Sequence, residues 1–233
     1  MTSTRTLPKS VQLSEMLIRE IVAGHLADGA RLPTERQMAA DLGVAVRTLR
    51  KALATLQEKG LLERVQGSGN YVRAKPMVES VYSFFRLELL RGGGLPTAKV
   101  LDVLKLAKPE GAPDFGESQT AHRIRRLRYL ADKPIAVEEI WLDARFIDRI
   151  KKDDLVDSLY LFYKESLDLV ISRIEDGVSV DAVPEWTVEE FGMKAGEAAG
   201  YIERIGWDQN GDPAEFSKTW FDPKLARFVM RLQ

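Results

Sequence analysis

The sequence predicts an α/β (α+β) protein of two domains: a small helical domain closed by a β-hairpin, then a larger domain mixing strands and helices. Three observations carry this. Residues 32–72, LPTERQMAADLGVAVRTLRKALATLQEKGLLERVQGSGNYV, hold two helix patterns followed by two short alternating strands. Charge is divided: the first 75 residues carry 12 Lys and Arg against 7 Asp and Glu, a net of +5, and the remainder 22 against 28, a net of −6. Ala74-Lys75-Pro76 then interrupts the pattern, because proline and its predecessor resist helix. With 233 residues there is enough chain for two separate cores. We place the domains at 1–73 and 79–233, with a linker at 74–78.

The first domain opens with Lys9 to Ala27, where Val11, Leu13, Leu17, Ile18, Ile21, Val22 and Leu26 recur at helical spacing and Ser10 is the expected N-cap. Pro33 suits the first position of a second helix, Thr34 to Asp41, with Glu35 near its positive end. Gly43 supplies a turn that needs positive φ. From Ala45 to Lys59, the apolar residues Val46, Leu49, Ala52, Leu53 and Leu56 share one face, while Arg47, Lys51 and Thr55 lie opposite. Thr48 and Arg50 flank the apolar stripe and reach outward. Gly60 ends this helix. Leu61 to Val65 and Asn70 to Arg73 alternate as strands around the turn-rich tip Gln66-Gly67-Ser68-Gly69. A helix-turn-helix followed by a hairpin wing reads double-stranded DNA, with the second helix of the pair in the major groove.

The series LPTERQMA, GVAVRTLRKAL and EKGLLERVQGSGNYV resembles the GntR family of bacterial transcription regulators in order and spacing. The resemblance implies that Arg36 and Arg50 contact DNA, that Thr48 assists, and that Gly67 and Gly69 let the wing backbone approach the minor groove. One departure stands out. Where the family has an arginine two residues after the helix-opening valine, this chain has Val46, and its arginine is displaced to Arg47. The candidate DNA-binding set is Arg36, Arg47, Thr48, Arg50, Lys51, Gln66, Gly67, Ser68 and Gly69. The basic excess suits phosphate neutralisation.

In the second domain, Ser80 to Arg91 has helical spacing and ends at Gly92-Gly93-Gly94. Strands are expected at Lys99 to Pro109, His122 to Leu130, Ile135 to Leu142, Leu169 to Val180, Gly200 to Asp208 and Ala214 to Phe221. Phe146 to Ile150 and Leu155 to Tyr163 look helical, and Trp186 to Phe191 reads as a short helix capped by Thr187. Arg126 and Arg128 alternate on one strand, so both leave the same face. Two guanidinium forks there suit a phosphate or carboxylate; without a ligand they are solvated surface. Arg123 and Arg125 take the other face.

RLRYLADKPIAVEEIWLD, SLYLFY and the closing GDPAEFSKTWFDP hairpin resemble the UTRA effector-binding domain of the HutC subfamily, over about residues 79 to 231. The resemblance implies a chorismate-lyase-like antiparallel sheet flanked by helices, with a small-molecule pocket. It selects Arg126 and Arg128, together with Glu138 and Glu215 as pocket carboxylates. Ser158 and Ser83 would add hydroxyl or amide contacts. Phe85 stands where many relatives have a small hydroxyl residue, and Phe221 where several have tyrosine. The expected effector is a small anionic metabolite, a sugar phosphate or an amino-acid derivative.

The chain has no cysteine, which excludes disulfides, thiolate metal sites and cysteine nucleophiles. His25 and His122 fall in different domains, so no metal site is expected, nor any cofactor. No apolar run approaches bilayer length and the start MTSTRTLPKS lacks a signal peptide's apolar stretch, so a cytoplasmic protein is expected. These readings converge on a ligand-responsive regulator, a repressor binding a pseudo-palindromic operator as a homodimer. The alternatives are an enzyme using Glu138, Arg126 and Arg128 on an anionic substrate, and a ligand-independent architectural DNA binder.

Overall fold

The computed structural model describes residues 7–74, 80, 82–92 and 94–231. The chain divides into two compact units, one built on Leu7–Arg86, the other on Leu87–Gly92 and Pro96–Phe228. The expected linker at 74–78 lies outside the described residues apart from Ala74, whose N–H is bound by Asp28 Oδ1 at 2.9 Å. Gly93 of the triple-glycine turn also lies outside them.

In the first unit, α1 (Lys9–Val22), α2 (Glu35–Asp41) and α3 (Val46–Glu58) precede a hairpin of β1 (Leu62–Val65) and β2 (Gly69–Val72). The apolar stripes meet in one core, with Leu17, Ile18 and Ile21 of α1 against Leu49, Leu53 and Leu56 of α3. Thr34 caps α2 by accepting from Gln37 N at 3.3 Å, which leaves Pro33 just outside the helix. Gly43, at φ 61°, makes the turn between α2 and α3. Ser10 is not the cap of α1. Pro8 holds that position, and its carbonyl accepts from both Val11 and Gln12 at 2.8 and 3.0 Å, so the cap lies two residues earlier than the serine signal suggested.

The helix expected over Ser80 to Arg91 is absent: among the described residues a turn at 82–84 leads into the strand β3 (Leu87–Leu89). Hydroxyls compete with the helix here. Ser83 Oγ bonds Ser80 O at 2.6 Å, and Ser80 Oγ donates to Glu15 Oε2 at 2.5 Å while accepting from Tyr82 N.

The second unit is a six-stranded antiparallel sheet. Its strands are β4 (Pro96–Ala107), β5 (Thr120–Leu130), β6 (Lys133–Asp143), β7 (Arg173–Ala182), β8 (Ala198–Trp207) and β9 (Pro213–Phe221), in the order β4-β5-β6-β9-β8-β7. The last strand, β10 (Ala226–Phe228), pairs with β3. One helix, α4 (Leu159–Leu167), starts at Ser158, whose hydroxyl accepts from Leu161 N at 3.3 Å. It therefore begins later than the apolar run from Leu155 implied, with a single 3-10 turn at Lys152–Asp154 before it. Phe146 to Ile150 is not helical, because Asp143 binds Arg145 N through Oδ1 and the Ile147 carbonyl is taken by His122 Nε2. The Trp186 to Phe191 segment narrows to a 3-10 turn at Glu189–Phe191, entered from Val188 rather than Thr187.

Candidate functional site

In the first unit, a groove of about 840 Å³ opens between the start of α2, the exposed side of α3 and the hairpin tip. It gathers Arg36, Arg50, Gln66, Gly67, Ser68 and Gly69 of the expected set, and adds Arg31, Gln57 and Arg64. The added residues carry no helix-turn-helix signature of their own. Arg31 precedes the LPTER stretch yet bridges to Tyr71 of β2, and Arg64 lies opposite Asn70 at the base of the tip. Arg47, Thr48 and Lys51 are not among the groove's lining; Arg47 and Lys51 are exposed on α3, and Val46 is half-buried against the core.

Backbone geometry shapes the tip. Gly67 has φ 75° and Gly69 φ 134°, both in the left-handed half that side chains disfavour. A Cβ at Gly69 would also sit 3.2 Å from Arg31 Nε, so the glycine lets the guanidinium lie against the wing. Glu35 is the one carboxylate in this lining. It accepts from Arg50 Nε at 2.6 Å and stands 3.8 Å from Arg64 Nη2, so it aims an α3 arginine and a wing arginine into one groove. Both arginine side chains stay about two-thirds exposed, at 65% and 66%. Exposed, clustered guanidiniums beside a glycine tip with positive φ match a phosphate backbone and a groove floor.

In the second unit, strand register builds the other site. Arg126 faces Glu138 across β5 and β6, Glu138 faces Thr219 on β9, and Thr219 faces Ile202 on β8. The two-residue period then puts Arg128, Glu215, Phe221 and Arg204 on the same face. Arg126 Nε donates to Glu138 Oε1 at 2.5 Å, and Arg128 Nη1 lies 3.6 Å from that oxygen. Both guanidiniums also donate to the Asp157 carbonyl, at 3.3 and 3.1 Å, next to Ser158. The arginines are buried, 5% and 2% exposed, so the solvated-surface alternative does not hold for them.

Beside them, Glu215 is enclosed and accepts from Tyr163 Oη at 2.6 Å and Tyr160 Oη at 3.1 Å. Burial raises its carboxyl above the ordinary value, against the opposing pull of the tyrosine hydroxyls and of Arg204 and Arg126. Burial likewise pushes both tyrosines up, with the Glu215 charge adding to it. Arg204 is locked to Asp176 through two bonds of 2.5 and 2.8 Å. Tyr160, Tyr163, Asp157, Arg204 and Asp176 had no distinct sequence signal: each is an ordinary residue of an amphipathic stretch until the register is known.

Phe221 lies on the same face, 6% exposed, its ring packed over Gly200 so closely that a Cβ there would meet Cζ at 2.2 Å. Ser83 and Phe85 lie at and just after the turn at 82–84. They belong to the first unit, where Ser83 bonds Ser80 and the Arg19 guanidinium lies 5.1 Å from the Phe85 ring centre. Arg123 and Arg125 occupy the sheet's opposite face, Arg123 on Asp102 at 3.2 Å, Arg125 on Glu139 at 2.7 Å and over the Trp186 ring. No cluster of three metal-ligating side chains occurs among the described residues, and none of their helices is long and apolar enough to cross a membrane.

Comparison with known proteins matches the two parts of the chain to two families. Residues 9–72 match the family of bacterial regulatory proteins called gntR, and residues 92–227 match the UTRA domain. The chain is 57% identical over 228 residues to the HTH-type transcriptional regulator SmoD of Agrobacterium fabrum, covering 98% of this chain and 97% of that protein. It is 26% identical to the mannosyl-D-glycerate transport/metabolism system repressor MngR of Escherichia coli, over 95% of each chain. Among solved structures, YydK of Bacillus subtilis superposes with a TM-score of 0.56 at 23% identity, covering 97% of this chain and all of that one. A ligand-binding domain of a GntR-family regulator from Bordetella bronchiseptica superposes with a TM-score of 0.57 at 18% identity, covering 65% of this chain and 99% of that one.

Proposed function

Because the chain belongs to the GntR family of bacterial transcription regulators and ends in a UTRA effector-binding domain, we propose that it is a ligand-responsive repressor that binds a pseudo-palindromic operator as a homodimer. The observation that carries the DNA half is the groove in which Glu35 sets Arg50 and Arg64 side by side. One such unit reads few base pairs, so two copies related by a two-fold axis are needed for a site of useful specificity. The setting is the cytoplasm, where the operator is.

Effector recognition falls to the buried face of the sheet. Arg126 and Arg128 converge on one carboxylate, Glu138, and two guanidiniums on one face of the sheet suit a phosphate or carboxylate. Glu215 with its two tyrosines supplies acceptors and donors for hydroxyls or amines. That pairing fits a small metabolite with an anionic end and a hydroxyl- or amine-bearing end, a sugar phosphate or an amino-acid derivative. MngR is a repressor of a mannosyl-D-glycerate transport/metabolism system, a sugar joined to a hydroxy acid, which supports the same class. The ligand acts by binding better to a dimer state that fits the operator poorly, a preference of about 1–3 kcal/mol in usual allosteric cases. The relatives named above are regulators, and nothing favours the enzyme alternative.

Selection of bound fragments from random double-stranded DNA, followed by affinity against salt, tests this. A palindromic site with a steep salt slope, weakened by Arg50→Ala, is the expected result. An absence of sequence enrichment removes the reading.

A further inference from the structure

The two edges of the six-stranded sheet are built differently. β4, at one edge, carries Lys99 and Lys105 and shifts register between Val100 and Asp102. Lysines and bulges are devices that blunt an edge against another strand. β7, at the other edge, has ten residues, RIEDGVSVDA, with neither lysine nor proline and an unbroken register against β8. Its apolar side chains stand out in water, Val178 at 51% and Val180 at 72% exposure. A long, regular edge strand with exposed valines and no lysine, proline or bulge is a template for a further strand.

We propose that β7 pairs antiparallel with β7 of a second copy of this chain, about a two-fold axis at Gly177, joining two six-stranded sheets into one of twelve. The inference rests on the homodimer reading above and says which surface makes the dimer.

Charge and shape select the register. A two-fold axis normal to the sheet puts one residue opposite its own copy, with equal steps pairing on either side. Centred on Gly177, Arg173 faces the second copy's Asp181, Ile174 faces Val180, and Glu175 faces Ser179. Opposite charges meet at both ends and an apolar pair sits inside each. Centred on Val178, Glu175 instead faces Asp181, a like-charge clash repeated by symmetry. Centred on Asp176, the overlap runs out before Val180 and Asp181. The favoured pair is already oriented: the Arg173 guanidinium lies 3.6 Å over the Trp207 ring, and Asp181 accepts from Trp220 Nε1 at 3.1 Å and from Ala182 N at 2.8 Å. Register with β8 places both side chains on one face of the strand.

The chain's lack of cysteine supplies the test, made on the full chain. A Cβ at Gly177 meets nothing closer than Glu203 O at 3.9 Å, so Gly177→Cys is tolerated by the protomer. Opposed residues of antiparallel strands have Cα atoms about 4.5–5.5 Å apart, within the span of a disulfide. On mild oxidation Gly177→Cys gives a covalent dimer, whereas Leu104→Cys, also at an exposed position but on β4, stays uncrosslinked. In sedimentation, Arg173→Asp weakens the dimer by roughly tenfold, and Arg173→Asp with Asp181→Arg restores it. A chain that is dimeric in sedimentation but neither crosslinks at Gly177 nor responds to Arg173→Asp overturns the β7 interface and leaves the homodimer reading standing. A chain that is monomeric both free and on DNA removes both.

Discussion

The two units use arginine in opposite ways. In the groove beside α3 and the wing, the Arg50 and Arg64 side chains are 65% and 66% exposed and keep most of their hydration. On the sheet, the Arg126 and Arg128 side chains are 6% and 3% exposed, so their desolvation is suffered on folding and offset by Glu138 and the Asp157 carbonyl. An exposed guanidinium gains its energy when the ligand arrives, by displacing counterions from a polyanion. A buried one is already aimed and dry, which suits a small anion that offers only a few contacts. The contrast teaches that losing an arginine from the groove affects binding alone, whereas losing one from the sheet affects folding as well.

Arg126→Ala is the harshest way to break that contrast. It strips the nearest guanidinium from a carboxylate that is 8% exposed, and breaking a buried pair typically costs about 3–5 kcal/mol. Thermal unfolding is expected to show a large loss confined to the sheet unit, with effector response abolished; an unchanged midpoint would mean that Glu138 is not relying on Arg126. Gly200→Ala comes next. Its Cβ collides with the Phe221 ring at 2.2 Å, and overpacking of this kind costs roughly 1–3 kcal/mol. Adding Phe221→Leu should recover part of the loss, and no recovery would place the strain elsewhere. Arg50→Ala tests the exposed side: operator affinity drops by about 1–3 kcal/mol, roughly five- to 150-fold, while the unfolding midpoint stays put. A fall in stability instead would show that the Glu35 pair holds the helices together rather than aiming at DNA.

How much of each unit was legible follows from the same difference. The first unit's helices, turn and wing come from local signals: the apolar stripe of α3, Gly43 at positive φ, the glycines of the tip. The family resemblance and the hairpin reading supplied six residues that line the groove, but not Gln57, Arg31 or Arg64, the last two of which enter through pairing between β1, β2 and the segment before α2. On the sheet, strand alternation placed Arg126 and Arg128 on one face and Arg123 and Arg125 on the other. Alternation has no way to say which residues cover that face. Tyr160 and Tyr163 reach Glu215 from more than fifty positions away, separations of 55 and 52, so only the assembled register reveals the cluster. The failed helix over Ser80 to Arg91 shows the reverse, a good helical period overruled by serine hydroxyls that satisfy the backbone locally.

Glu215 gives the gentlest and most selective probe. Burial raises its folded carboxyl above its ordinary value, so the folded chain holds this proton more tightly than the unfolded one. The stabilisation is fully present at pH below the ordinary carboxyl range and is lost as pH rises through the elevated folded value, at up to about 1.4 kcal/mol per pH unit within that window. Glu215→Gln keeps an acceptor for the Tyr160 and Tyr163 hydroxyls but cannot ionise. The variant should therefore match the parent in acid and lose less stability as pH is raised, visible as a flatter plot of unfolding midpoint against pH. The groove holds no counterpart to this buried acid, so operator affinity of the variant without effector is expected to be unchanged. Parallel plots for parent and variant would mean that the two tyrosines and Arg204 hold Glu215 ionised in the fold, and the sheet's anion site would then carry one negative charge more than its burial implies.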